Sequence, residues 1–145
     1  MTTKRIAVVT AGASEHSSTT LLAQRVAREV VAVLGAGESP VDAEVSFIEL
    51  RELAGELGIA MGSAMVGDRL RDALDEVARA DALIAATPVY KASYSGLFKA
   101  FFDVLEDDAI LSTPTVLAAT AGTPRHALVP DDQMRPLFAY LRALV

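Results

Sequence analysis

The stretch Ala82-Leu83-Ile84-Ala85-Ala86-Thr87-Pro88-Val89-Tyr90-Lys91-Ala92-Ser93-Tyr94-Ser95-Gly96 decides the reading of the whole chain. Residues 82–86 form a short apolar run that reads as a buried strand. Residues 88–95 then hold one Pro, two Tyr and two Ser, and an amphipathic helix begins after them. Turns at the carboxyl ends of parallel strands are where open α/β sheets bind ligands. Thr87 precedes a proline and is pushed out of helical angles, so the turn starts extended. Such a backbone can run along the edge of a flat, partly apolar ligand and offer it N–H and C=O partners. Tyr90 can pack on or beside such a ligand, and Lys91 can bias the charge near it. For Tyr94, Leu97 and Phe98 the preferred role is helix packing.

Outward from that run, the chain alternates strand and helix. Residues 5–10, 43–50 and 115–120 read as further strands. Residues 19–34 have Leu22, Val26, Val30 and Val33 at helical spacing, with Gly35 as the stop. Asp68 is the expected N-cap of a helix through Arg79 with Leu70, Leu74 and Val77 as its apolar stripe. Residues 94–105 place Phe98, Phe101, Phe102 and Leu105 at i, i+3, i+4 and i+7. Met134, Leu137, Phe138 and Leu141 mark a last helix, with Pro136 near its start or at a kink. Alternating βα units imply a parallel sheet covered on both faces. Residues 51–67 hold four glycines and resist assignment. A short helical turn with a mobile loop, forming part of a ligand pocket's rim, and a poorly ordered connection are equal readings.

Composition removes several classes of function. The chain has 145 residues, no cysteine and a formal net charge of −6. Disulfides, iron–sulfur clusters and thiol catalysis are therefore excluded for this sequence. The acidic balance argues against a nucleic-acid surface. Mean hydropathy is +0.35, which argues against disorder. No apolar run approaches the roughly 20 residues of a membrane span, and Lys4-Arg5 is followed by too short an apolar run for a signal peptide. One soluble cytoplasmic domain, residues 1–145, is the expectation.

The first strand leads into Thr10-Ala11-Gly12-Ala13-Ser14-Glu15-His16-Ser17-Ser18-Thr19-Thr20. Residues 14–20 carry five hydroxyl side chains at a helix start, where exposed N–H groups attract anions. The loop has neither the GxxxxGK[ST] pattern of a P-loop nor a GxGxxG fingerprint. Hydroxyls without a lysine suit a monophosphate ester. The alternative is plain N-capping by Ser or Thr. After the strand at 115–120, Gly122 would let backbone approach a ring closely. His16 and His126 are the only histidines, and no carboxylate pattern beside them resembles a metal site. For His126 a surface or capping role is favoured over acid–base catalysis.

Residues 87–96 closely resemble the flavin-contacting loop of the NADPH-dependent FMN reductases. Ser17-x-Thr19-x-x-Leu22-Ala23 is similar to that family's phosphate loop, although Gly12-Ala13-Ser14 stands where the family often has Gly-Ser-Pro. Gly122, His126 and Arg135-Pro136 also fit its register. The resemblance implies a flavodoxin-like, doubly wound parallel α/β sheet of order 2-1-3-4-5. Four strands are counted, and a fifth could begin at Leu144-Val145, so the sequence is expected to be shorter than the natural protein.

The implied cofactors are FMN and NADPH, with nicotinamide passing hydride to the flavin, which carries the hard chemistry. The implied binding residues are Ser14, Ser17 and Thr19 for the phosphate, and Pro88, Val89, Tyr90, Lys91 and Gly122 for the ring. Arg125 could meet a nicotinamide 2′-phosphate. Reduced flavin would leave for a partner monooxygenase or reduce another acceptor such as a quinone or azo dye. A non-enzymatic flavodoxin-type electron carrier and a module that only mediates oligomerisation are the alternatives. The shortage of ring-covering aromatics favours the reductase over the carrier. Homodimers or homotetramers are expected, because Phe101 and Phe102 point about 100° apart on one helix and one sheet face is not expected to bury both.

Overall fold

Strands buried on both faces need continuous apolar runs, and residues 6–9 and 82–86 supply them. The computed structural model describes residues 3–145. In it β1 (Lys4–Thr10) lies between β2 (Ala43–Glu49) and β3 (Ala82–Tyr90), parallel to both. β4 is a two-residue strand, Ser93–Tyr94, antiparallel to the end of β3. β5 (Thr115–Thr120) pairs in parallel with β3 on its other side. The parallel order is β2-β1-β3-β5, the flavodoxin-like arrangement expected from the sequence. At the outer edge of β5, Leu144 bridges in parallel to Pro114, and Thr115 N donates to Leu144 O at 2.7 Å. That is the place where a fifth parallel strand was expected to begin.

Alternate residues of the central strands feed two cores. Ile6, Val8, Ile84 and Ala86 pack against Ala23 and Ala27 of α1 (Ser18–Ala36). Ala7, Val9, Leu83 and Ala85 face the helices of the opposite layer. The first helix outruns its expected stop. Gly35 is helical, and the chain leaves the helix at Gly37 instead. Val33, expected in the buried stripe, is exposed, and the small Ala23 and Ala27 make the closest approach to the sheet.

Residues 51–67, which resist assignment from the sequence, are largely helical. Leu50–Leu53 form a 3₁₀ turn and Ala54–Ser63 form helix α2, which ends on Ala64 at φ 59°. Leu50, Leu53, Leu57 and Ala60 are buried at three- and four-residue spacing. The next helix, α3 (Asp68–Ala78), is not capped by Asp68, which sits inside its first turn. Glu56 of α2 reaches across instead, and its Oε2 accepts from Leu70 N at 2.9 Å. A carboxylate at a helix amino end also meets the favourable end of the helix dipole.

Ser95 caps α4 (Gly96–Val104), its Oγ accepting from Phe98 N at 3.2 Å. Phe98, Phe101 and Phe102 are all buried within the single chain. The expectation of an exposed Phe102 is therefore wrong. Phe138 of α5 (Arg135–Tyr140) lies edge-on to it with ring centroids 4.9 Å apart. Pro136 is the second residue of α5, which continues directly from the π-helical turn Pro130–Met134.

The amino end of β1 is held by Asp81. Its Oδ2 accepts from Arg5 N at 2.8 Å, and its Oδ1 accepts from Lys4 Nζ at 3.2 Å. The Arg5 amide first, and then the Lys4 ammonium, hold this carboxyl below the usual carboxylate range. A depressed folded-state pKa stabilises above the unfolded value and loses that stabilisation as pH falls through the folded one. Asp81→Asn should therefore lower the urea midpoint at neutral pH, and the two proteins should converge towards about pH 2. A midpoint difference that stays constant across that range would contradict this.

Candidate functional site

The carboxyl ends of β1, β3 and β5 open onto one cleft of about 500 Å³. Its walls come from three separate segments. Residues 13–19 after β1 supply Ala13, Ser14, His16, Ser17, Ser18 and Thr19. Pro88, Val89 and Tyr90 come from the end of β3, and Thr120, Ala121 and Gly122 from the end of β5. One wall is thus rich in hydroxyls, and the other is apolar and aromatic.

The hydroxyl wall is built by helix capping. Ser17 is the N-cap of α1, and its Oγ accepts from Thr19 N at 3.1 Å and Thr20 N at 3.4 Å. A hydroxyl that accepts in this way still has its own hydrogen to donate. Ser17 thus caps the helix, and its own hydrogen stays available to donate. Thr19 is buried, and its Oγ1 lies 2.7 Å from Thr120 Oγ1. One hydrogen of that pair is used between them and one remains. Ser14 O accepts from Ser17 N at 3.2 Å, closing a tight turn with Ser14 exposed on the cleft. Gly12 packs directly beneath Ser17, where any Cβ would collide with the Ser17 side chain. The first turn of α1 contains no acidic residue, so its dipole is left uncompensated.

The opposite wall is stiffer than a turn. Residues 88–90 remain in β3, and the reversal falls at Lys91 and Ala92 instead. These two residues have φ of 52° and 66°, a left-handed pair usually given to Asn-Gly. Thr87 anchors the hairpin: its buried Oγ1 accepts from Ser95 N at 3.0 Å and donates to Pro88 O at 2.8 Å. Ser93 Oγ is 3.2 Å from Gln133 Oε1, tying the hairpin to the turn before α5.

Of the residues expected from the sequence, Ser14, Ser17, Thr19, Pro88, Val89, Tyr90 and Gly122 converge on this cleft. Lys91 does not: it lies at the exposed hairpin tip, outside the lining. A Cβ on Gly122 would meet no atom within 4 Å, so its surface is open rather than crowded. Thr120 and His16 were not anticipated as site residues. The position of Thr120 at the last residue of a strand was an available signal; His16 was weighed only as a metal ligand. His16 and Tyr90 are the only titratable side chains in the lining, which holds no carboxylate, lysine or arginine. Neither Arg125 nor His126 belongs to it. Among the described residues no cluster of three or more His, Asp or Glu could hold a metal ion, and no helix is long and apolar enough to cross a membrane.

Comparison with known proteins gives one consistent answer. The family described as NADPH-dependent FMN reductase matches residues 4–145. An FMN reductase (NADPH) from Pseudomonas aeruginosa is 40% identical over 141 residues, covering 97% of this chain and 72% of that protein. The crystal structure of an oxidoreductase from Corynebacterium diphtheriae superposes with a TM-score of 0.93 at 44% identity, over 98% of this chain and 77% of the other. A structure of an NADH:FMN oxidoreductase in its apo form superposes with a TM-score of 0.80 at 32% identity, over 95% of this chain and 69% of the other. A hydroxyl-lined, acid-free cleft at the strand ends and a match along nearly the whole chain coincide: this protein belongs to the NADPH-dependent FMN reductase family.

Proposed function

We propose that this chain is an NAD(P)H-dependent FMN reductase working at the β1–β3–β5 cleft. The observation that carries the reading is the division of that cleft. A hydroxyl wall at the start of α1 suits a phosphate ester, and the Pro88–Val89–Tyr90 edge suits a flat ring. Ser17, with Ser14 and Thr19 beside it, would hold the phosphate. Pro88, Val89 and Tyr90 would border the ring, and Gly122 leaves room for it. The chemistry gained on binding FMN is acceptance of a hydride from a nicotinamide. The protein's part is to position the two rings and to exclude water. Tyr90 is the only aromatic residue in the lining besides the His16 imidazole, so one ring face stays open to the donor. That openness favours a reductase over a flavodoxin-type carrier.

The two FMN-reducing relatives are named for different donors, one for NADPH and one for NADH. Both nicotinamides therefore belong in the assay. Reduced flavin would pass to a monooxygenase partner, with quinone or azo-dye reduction as the alternative outlet. A cytoplasmic location is proposed on the need for reduced nicotinamide. Self-association as a homodimer or homotetramer no longer rests on Phe102. It rests on the family resemblance and on exposed Ile59, Met61 and Met65 along α2 and its end.

Added FMN should stimulate oxidation of NADPH or NADH, with label from the nicotinamide delivered to the flavin. Ser17→Ala should weaken FMN about tenfold, as expected for one hydrogen bond to a charged group, while leaving riboflavin almost unchanged. No reduction by either nicotinamide in folded, FMN-saturated protein would hand the function to an electron carrier. Unaltered FMN affinity in the Ser17 variant would remove this wall from the phosphate site.

A further inference from the structure

We propose that His16 sets the preference of this cleft for a phosphorylated flavin, by supplying the single cationic donor at its hydroxyl wall. The inference rests on the FMN reading of the same cleft. A phosphate monoester carries about −1.5 to −2 charge near neutral pH. Against it the lining offers neutral hydroxyls, the amino end of α1 and one side chain able to become positive. Ser14 O and Ser17 N close the turn over residues 14–17, with Glu15 and His16 at its two central positions. His16 lines the cleft and Glu15 does not, so the turn presents the base and turns the acid away.

The other charged groups around it are few. Across the cleft β3 contributes only the Tyr90 phenol, and the end of β5 brings no titratable group to the lining. The first turn of α1 has no carboxylate. Glu15, next to it on the same turn, is therefore the one acidic neighbour its own segment supplies. Histidine is the side chain that changes charge between about pH 5 and 8, and an imidazolium presents two N–H donors. A lysine or arginine stays charged across that range, and a histidine does not.

The test compares Kd values for FMN and for riboflavin, read from flavin fluorescence, in the parent, His16→Gln and His16→Lys at about pH 6 and about pH 8. In the Gln variant FMN should weaken about tenfold at the lower pH and only about twofold at the higher one. Riboflavin should bind all three proteins alike at both. The Lys variant should match the parent's FMN affinity at the lower pH and exceed it at the higher one, so its change between the two conditions is smaller than the parent's. Equal FMN-to-riboflavin ratios in parent and Gln variant at both pH values would overturn the role of His16 and leave the FMN site standing. Equal losses in the Gln and Lys variants would overturn the cationic role. A parent that binds neither flavin would overturn the site and this inference together.

Discussion

Gly12→Ala should loosen FMN by roughly 10–100-fold, the loss of one or two charge-assisted hydrogen bonds, and should lower the melting temperature as well. Gly12 has no left-handed backbone to explain it; space alone excludes a side chain. The added methyl would collide with Ser17 and stand 2.8 Å from Thr20 Oγ1. Ser17 would have to leave its capping position, which costs about 0.5–2 kcal/mol. Strain from the overlap adds about 1–3 kcal/mol. Thr20 is tied to Thr10 Oγ1 at 3.0 Å, so the disturbance reaches the end of β1. Gly122→Ala is the control, because a methyl there meets nothing within 4 Å. Its stability should stay within about 0.5 kcal/mol of the parent. Thermal melts and FMN titrations of both variants decide it; a Gly12 variant that matches the parent in both would show that the loop has slack.

Phe98→Ala should be the most destabilising single truncation, at about 3–5 kcal/mol. Phe98 is fully buried, with ring centroids 4.8 Å from Phe102, 5.8 Å from Tyr94 and 6.1 Å from Phe138. Each good aromatic pair adds about 0.5–1.5 kcal/mol beyond the buried area. A domain of this size has only about 5–15 kcal/mol in total. Phe47→Ala, at a residue 47% exposed on the edge strand, should cost far less. Urea midpoints at unchanged m-value measure both. A Phe98 loss below about 1.5 kcal/mol would mean that neighbouring rings collapse into the space. The same change should disturb the cleft, since Phe98 N is held by Ser95 Oγ, and Ser95 N by Thr87 Oγ1 at the base of the hairpin.

The strands and most of the cleft were legible because their signals are local. Residues 82–86 are apolar throughout, and Pro88, Tyr90 and the hydroxyls of residues 14–20 stand beside strand ends in the sequence itself. Helix α2 was hidden by Gly55, Gly58 and Gly62, each costing about 1 kcal/mol of helix propensity. Buried Leu57 and Ala60, with Leu50 and Leu53 of the preceding turn, outweigh that cost only once α4 is there to cover them. The cap of α3 comes from Glu56, 14 residues before Leu70, beyond any capping-box spacing. Phe102 read as exposed because its cover, Phe138, belongs to a helix far along the chain. Lys91 falls at the hairpin tip because β3 runs on to Tyr90, and nothing in Lys-Ala announces a left-handed turn. His16 was overlooked because one histidine among serines signals no metal, and its value depends on what else lines the cleft.

The hydroxyl pair between Thr19 and Thr120 joins positions 101 residues apart. Contacts so distant in sequence form late, after the loop-closure entropy of the intervening chain has been met. No partly folded form that lacks β5 can present both members of that pair. A ligand seated there stabilises the completed chain alone, by about 2.7 kcal/mol at a hundred times its Kd. Degradation by a protease that attacks opened chains would slow accordingly as the flavin concentration rises.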